Sequence, residues 1–158
     1  MRLSNLADYA VVLMSAAARQ CGSVPLHAAM LAEQTGIPGP TAQKLVSGLA
    51  RAGLLVSTRG TGGGVRLARP AAAISIADII EAVDETVDST KCGGKSNCHN
   101  DQPCITHDLW MGLSEQIRSY LKQITLGQLL ERELVSEVAK RQGKQGEQPD
   151  SRRDRRLG

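Results

Sequence analysis

The chain has 158 residues, 41% of them hydrophobic, and a net charge of +3, enough for one sizeable core or a small domain with an accessory part. With no Phe, one Trp and two Tyr, the core must be aliphatic, which suits small helical packing better than a large sandwich. No stretch reaches the roughly 20 apolar residues of a membrane span, and Met1-Arg2-Leu3-Ser4 opens no signal peptide, so the sequence predicts a cytoplasmic protein with no membrane partner.

The small net charge conceals a segregation. Residues 1–70 carry +5, residues 71–139 carry −6, and residues 140–158 carry +4. These blocks set the expected organisation: a basic head suited to a polyanion, an acidic middle region suited to control, and a basic tail.

In the head, Leu6, Tyr9, Ala10, Leu13 and Ala17 recur at three- and four-residue intervals and predict an amphipathic helix. Gly22 and Pro25 interrupt it. A short second helix is expected to bury Leu26, Ala29, Met30 and Ala32, and Gly36 then turns the chain with positive φ. A third helix should start near Pro40, turn Leu45, Val46 and Leu49 inward, and end near Gly53. Leu54–Ser57 and Val65–Arg69, on either side of Arg59-Gly60-Thr61-Gly62-Gly63-Gly64, read as a hairpin. Helix, helix, turn, helix, hairpin is the order of a winged helix-turn-helix, with the third helix as the recognition helix and the hairpin as the wing.

Its candidate DNA-facing residues are Thr41, Gln43, Lys44 and Ser47, with Arg59 and Arg66 beside the wing tip. Gln can bridge an adenine edge, Lys can reach a guanine or a phosphate, and the wing arginines can reach phosphates or a minor groove. Arg2, Arg19 and Arg51 read as surface or phosphate contacts. The glycine run is no nucleotide loop, since no Gly-Lys-Ser/Thr follows and no helix opens there.

Ser75 can cap a helix with Ile76, Ile79, Ile80 and Val83 inward; Asp78, Glu81, Asp84, Glu85 and Asp88 fall on its solvated side. No Ser/His/Asp or Cys/His order suggests catalysis, so an enzyme is not expected. Residues 89–103, rich in Gly, Asn and Lys, read as a loop. They lead to a long helix from near Ile105, where Trp110, Leu113, Ile117, Tyr120 and Ile124 follow at spacings of 3, 4, 3 and 4, thickened by Leu121. That is a coiled-coil-like seam. A last amphipathic piece runs from Leu126 to about Val138. From Lys140 the apolar residues nearly vanish, predicting a disordered tail whose Arg152, Arg153, Arg155 and Arg156 add DNA affinity or solubility.

Cys92, Cys98, Cys104 and His107 are spaced C-x5-C-x5-C-x2-H. Three thiolates and an imidazole complete the first shell of a soft or borderline metal. Structural zinc would use the same set, although zinc sites favour closer cysteine pairs. A thiol switch needs only two cysteines, and a 2Fe–2S cluster uses all four donors, imidazole included. His99 is an alternative ligand, and Cys21 reads as an incidental or buried thiol.

Through Met1-Arg2-Leu3, the wing run 59–64, Val83-Asp84-Glu85-Thr86-Val87-Asp88, the cysteine–histidine set and Ile124-Thr125-Leu126-Gly127, the chain resembles the IscR-like transcription regulators of iron–sulfur cluster assembly, part of the Rrf superfamily of winged-helix repressors. The likeness covers roughly residues 1–140. It implies a mainly α fold: a winged helix-turn-helix over 1–70, a linker helix, cluster-binding loop and dimerisation helix over 71–139, and a tail over 140–158. It further implies a homodimer through Trp110, Leu113, Ile117, Tyr120, Leu121 and Ile124. One 2Fe–2S cluster per subunit would sit on Cys92, Cys98, Cys104 and His107, supplied by the iron–sulfur assembly machinery. The expected function is cluster-responsive repression at double-stranded promoter DNA, against the alternative of a metal or cluster carrier. Gln43 stands where the family's best-studied branch has Glu, which puts in question the rule that would link cluster state to target site.

Overall fold

The computed structural model describes residues 4–20, 26–58, 63–84 and 107–145, with the backbone alone at 107 and 137–145. The first helix, α1 (Asn5–Arg19), starts where the Ser4 side chain accepts a hydrogen bond from the Ala7 amide at 3.1 Å, a favourable N-cap. Its buried stripe is Ala7, Ala10, Leu13, Met14 and Ala17. Leu6, expected inward, is 44% exposed, while Tyr9 is half-buried against the core. The stripe is offset by a position because α1 is packed from several sides, by elements on both halves of the chain, and alanines let them come close.

Next come α2 (Ala28–Thr35) and α3 (Gly39–Arg51), joined through Gly36 in the left-handed region at φ 70°. Only Leu31 of α2 is fully buried; Ala29 is exposed, and Met30 and Ala32 are half-buried. Alanines gain little from burial, so one leucine anchors this short helix. Leu26 is buried, but ahead of the helix, where its carbonyl accepts from the Val65 amide. In α3 the inward residues are Ala42, Leu45, Val46 and Leu49, and Gly53 ends the element at φ 72°. The antiparallel strands β1 (Leu55–Thr58) and β2 (Gly64–Leu67) pair Leu55 with Leu67 and Thr58 with Gly64.

After a single 3-10 turn at Ala71–Ala73, Ser75 caps α4 (Ile76–Glu81) in a reciprocal box with Asp78. Asp78 is therefore not a free solvated carboxylate: its Oδ2 also lies 3.7 Å from Arg69 Nη2. The helix is shorter than the isoleucine pattern suggests, and Val83 follows in a half-buried turn. Two helices complete the described chain, α5 (His107–Gln123) and α6 (Leu126–Gln145).

The corner between them is stitched to the α4 entrance. The Ile76 amide donates to the Ile124 carbonyl at 2.9 Å, and the Leu126 amide donates to the Ile74 carbonyl at 2.8 Å. Thr125 and Gln128 form a second reciprocal cap. Gly127 allows the close approach, since a methyl there would lie 3.3 Å from the Ala72 amide nitrogen. Ile74, Ile76, Ile79, Ile80 and Leu126 join the same buried cluster as Leu13, Leu31 and Leu49. Beyond its first turns α6 leaves that core: Leu134 and Val135 are 62% and 70% exposed. It runs on through Gln145, six residues into the segment expected to be a disordered tail. Lys140, Arg141, Gln142, Lys144 and Gln145 are good helix formers, and extending an existing helix needs no apolar face.

Candidate nucleic-acid interface and metal-ligand segment

The fold puts α3 where one side serves the core and the other is open. With Ala42, Leu45, Val46 and Leu49 buried, the helical period leaves Gln43, Lys44 and Ser47 exposed together. Thr41, in the first turn, is half-buried. The helix carries no acid, only Lys44 and Arg51, so nothing on it opposes a phosphate. The Ser47 hydroxyl donates to the Gln43 carbonyl at 2.9 Å, and Arg51 Nε donates to the Ser47 carbonyl at 3.4 Å. These bonds hold the row Gln43, Ser47, Arg51 along one line of the helix, leaving the Gln43 amide free of them.

In the hairpin, strand alternation buries Val65 and Leu67 and turns Arg66 outward. Arg59 lies outside the described residues. Arg19, grouped by sequence with the surface or phosphate contacts, is an exposed side chain that pairs with Glu133 and ties α1 to α6.

Of the metal candidates, Cys92, Cys98, Cys104 and the alternative His99 fall outside the described residues, as do Cys21 and the interruption at Gly22 and Pro25; His107 is placed as the first residue of α5 by its backbone only. Among the described residues no group of three His, Cys, Asp or Glu side chains could hold a metal ion, and no helix is long and apolar enough to cross a membrane. The donor segment lies between α4, which leads into it, and α5, which leads out.

The α5 seam divides. Ile117, Leu121 and Ile124 are half-buried against the chain's own core. Trp110, Leu113 and Tyr120 are exposed by 40%, 42% and 61%, and Leu109 by 67%. At about 100° per residue, Leu109, Leu113 and Tyr120 fall within roughly 40° of one another, beside the inward stripe. One helix thus carries two adjacent apolar stripes, one used internally and one open.

Two features escaped the sequence reading. Gly48 sits inside α3, where glycine costs about 0.5–1 kcal/mol relative to alanine, and the α4 end packs there: a methyl on Gly48 would be 3.7 Å from the Ala82 carbonyl oxygen and 4.0 Å from Val83 Cγ1. An interior helical glycine can signal a close approach, but here the space would accept a methyl at ordinary contact distance. The second is Arg118, whose Nε lies 3.2 Å from Glu81 Oε1 on α4 and whose Nη1 lies 3.9 Å from Glu115 Oε2; nothing in linear order pairs residues so far apart.

Comparison with known proteins places this arrangement. Residues 3–132 match the model of Rrf2, described as an iron-dependent transcriptional regulator. The HTH-type transcriptional regulator IscR of Vibrio cholerae is 44% identical over 142 residues, covering 90% of this chain and 82% of that protein. Its namesake in Cronobacter sakazakii is 38% identical over 154 residues, covering 98% and 95%. Among solved structures, T. potens IscR superposes with a TM-score of 0.66 at 27% identity, over 84% of this chain and 88% of that one.

Proposed function

The chain belongs to the Rrf2 family of transcriptional regulators, and from that premise we propose that it is a homodimeric, cytoplasmic repressor of iron–sulfur assembly genes that reads promoter DNA and senses a 2Fe–2S cluster. It is a regulator and not an enzyme. The observation that carries the sensing role is the place of the four donors in the chain. Cys92, Cys98 and Cys104 fall between the end of α4, at Glu81, and α5, whose first residue is His107, the two helices that connect the winged helix to the open apolar stripe.

The donor set fits the group. Three thiolates and one imidazole match what a 2Fe–2S unit accepts, and C-x5-C-x5-C leaves room for more than one ion. When bound, the cluster supplies a group whose presence depends on iron and sulfide supply. The other roles belong to this chain's own side chains. Gln43 offers a bidentate amide to an adenine edge, Lys44 and Arg66 offer charge to guanine or phosphate, and Ser47 contributes an acceptor, its proton being engaged. Arg59, at the wing tip by sequence, joins them. The stripe of Leu109, Leu113 and Tyr120, with Trp110 beside it, is an apolar patch of the kind that marks a protein partner. A second copy, bound through a self-complementary two-fold, would set two recognition helices at a fixed spacing.

The test is an absorption spectrum with iron and sulfide analysis on protein purified without oxygen, beside Cys92→Ala. A coloured protein holding iron and sulfide in equal amounts, bleached by the substitution, is the expected result. Colourless protein, or protein holding zinc, overturns the sensor chemistry. Tight binding to a specific duplex separates the regulator from a carrier that hands a cluster to other proteins.

A further inference from the structure

The last turn of α4 touches two things at once. On one side the Ala82 carbonyl and Val83 lie against the recognition helix at Gly48. On the other, Glu81 is paired with Arg118 of α5. The turn is well formed: the Ala82 amide donates to the Asp78 carbonyl at 3.2 Å, and the Val83 and Asp84 amides donate to the Ile80 carbonyl at 3.1 and 2.9 Å. Ile79 and Ile80 fasten it to the core. A carboxylate in the last turn of a helix faces the negative end of the backbone dipoles, so Glu81 is better placed with Arg118 beside it than alone.

We propose that this turn, residues 81–84, is a positioning junction between the recognition helix and α5, with Gly48, Glu81 and Arg118 as its working residues. None of the three belongs to the base-facing set or to the donor set. At Gly48 the turn faces the α3 backbone with no side chain between them, across a gap that a methyl would fill at ordinary contact distance. Arg118 sets the turn's distance from α5, and its second carboxylate, Glu115, keeps the guanidinium on α5 when Glu81 moves. A displacement of either helix is thereby passed to the back of the surface carrying Gln43, Lys44 and Ser47. That the displacement originates in cluster occupancy rests on the sensor reading above; that the junction holds α3 does not.

The experiment uses the full-length protein in cluster-loaded and cluster-free forms, with iron and sulfide measured in each. It compares wild type with Arg118→Gln, Glu81→Gln, the exchanged pair Glu81→Arg/Arg118→Glu, and Gly48→Leu, which inserts a wedge between α3 and Val83. Hydrogen exchange along α3 is recorded without DNA. Dissociation constants are then measured on a duplex enriched from a random pool by the wild-type protein. Faster exchange at Val46–Arg51 is expected in both single-charge variants and in Gly48→Leu, with partial recovery in the exchanged pair, whose carboxylate at position 118 meets Glu115. The ratio of dissociation constants between the two forms should shrink by up to about fivefold in the single-charge variants, the scale of an exposed ion pair. Unchanged exchange along α3 in all variants overturns the junction. Equal binding of the duplex by both forms of the wild type overturns the sensor reading, and the exchange data then decide the junction alone.

Discussion

Leu126→Ala asks whether the C-terminal helices and the winged helix fold as one body. Leu126 opens α6, is fully buried, and belongs to the cluster that also holds Leu13, Leu31 and Leu49. Its amide bond to the Ile74 carbonyl survives the substitution, so the loss is confined to the side chain. Removing a fully buried leucine side chain costs about 2–5 kcal/mol, the transfer of its carbons plus the residual cavity. That is a large share of the roughly 5–15 kcal/mol that holds a domain together. With a urea slope near 2 kcal/mol/M, the midpoint should fall by about 1–2.5 M. The assay is urea unfolding at one fixed protein concentration, since a dimer's midpoint depends on it. Fluorescence of Trp110, the chain's only tryptophan, reports on α5, and far-UV ellipticity reports on all helices. Both signals should move together in a single transition. Two transitions, with only the Trp110 signal shifted, would refute the common core and make residues 1–70 a head that unfolds independently. A midpoint shift below about 0.5 M would refute the packing assigned to Leu126.

Four further outcomes are expected. Lys44→Gln should lower the slope of log affinity against log salt by about 0.9 for each phosphate no longer neutralised, hence nearly 2 per dimer, with sequence preference intact. Gln43→Ala should leave that slope alone and cost about 1–3 kcal/mol of discrimination at one base pair per half-site; the opposite pattern, read by anisotropy titrations, would exchange their roles. Leu113→Glu should convert dimer to monomer in sedimentation equilibrium, and an unchanged mass would remove the α5 stripe from the interface. Gly127→Leu must push its side chain into the Ala71–Ala72 backbone, lowering stability by about 1–3 kcal/mol, while Gly127→Ala, trading a tight 3.3 Å contact against helix propensity, should fall within about 1 kcal/mol of wild type in thermal melts.

The recognition helix was legible from sequence because each signal agreed. Pro40 opened it, Leu45, Val46 and Leu49 kept one period, and Gly53 closed it in the left-handed region. The hairpin was legible for the same reason, with β-branched residues flanking glycines. Helix α1 was found but its inner stripe was misjudged at Leu6, because an element packed on several sides has no single apolar stripe to read. Helix α2 was harder still, as alanine says little about which way it faces. The α5 pattern gave a seam without saying who covers it; only the fold assigns Ile117, Leu121 and Ile124 inward. Contacts such as Arg118 with Glu81 depend on helices distant in sequence being brought together, and no local spacing encodes them. The donor set rests on residue types alone, since Cys92, Cys98 and Cys104 lie outside the described residues.

Magnitudes bear on where control of DNA binding resides. Coupling between two sites in regulatory proteins is commonly about 1–3 kcal/mol. The Glu81–Arg118 pair is partly exposed, at 40% and 35% of the two side chains, and such pairs contribute about 0.2–1 kcal/mol each. Counted once per protomer in the proposed dimer, the junctions reach roughly 0.4–2 kcal/mol, which overlaps the range needed although Arg118 Nε itself is buried. A buried pair would hold α4 and α5 too firmly for occupancy of a nearby segment to move them, because separating it costs about 3–5 kcal/mol. An exposed pair beside a glycine contact gives a link that transmits and yet can yield. The firm contacts lie elsewhere, in the Ile74–Leu126 stitching and the isoleucines of α4, so a shift of the last turn of α4 against α3, as proposed, would leave the core intact.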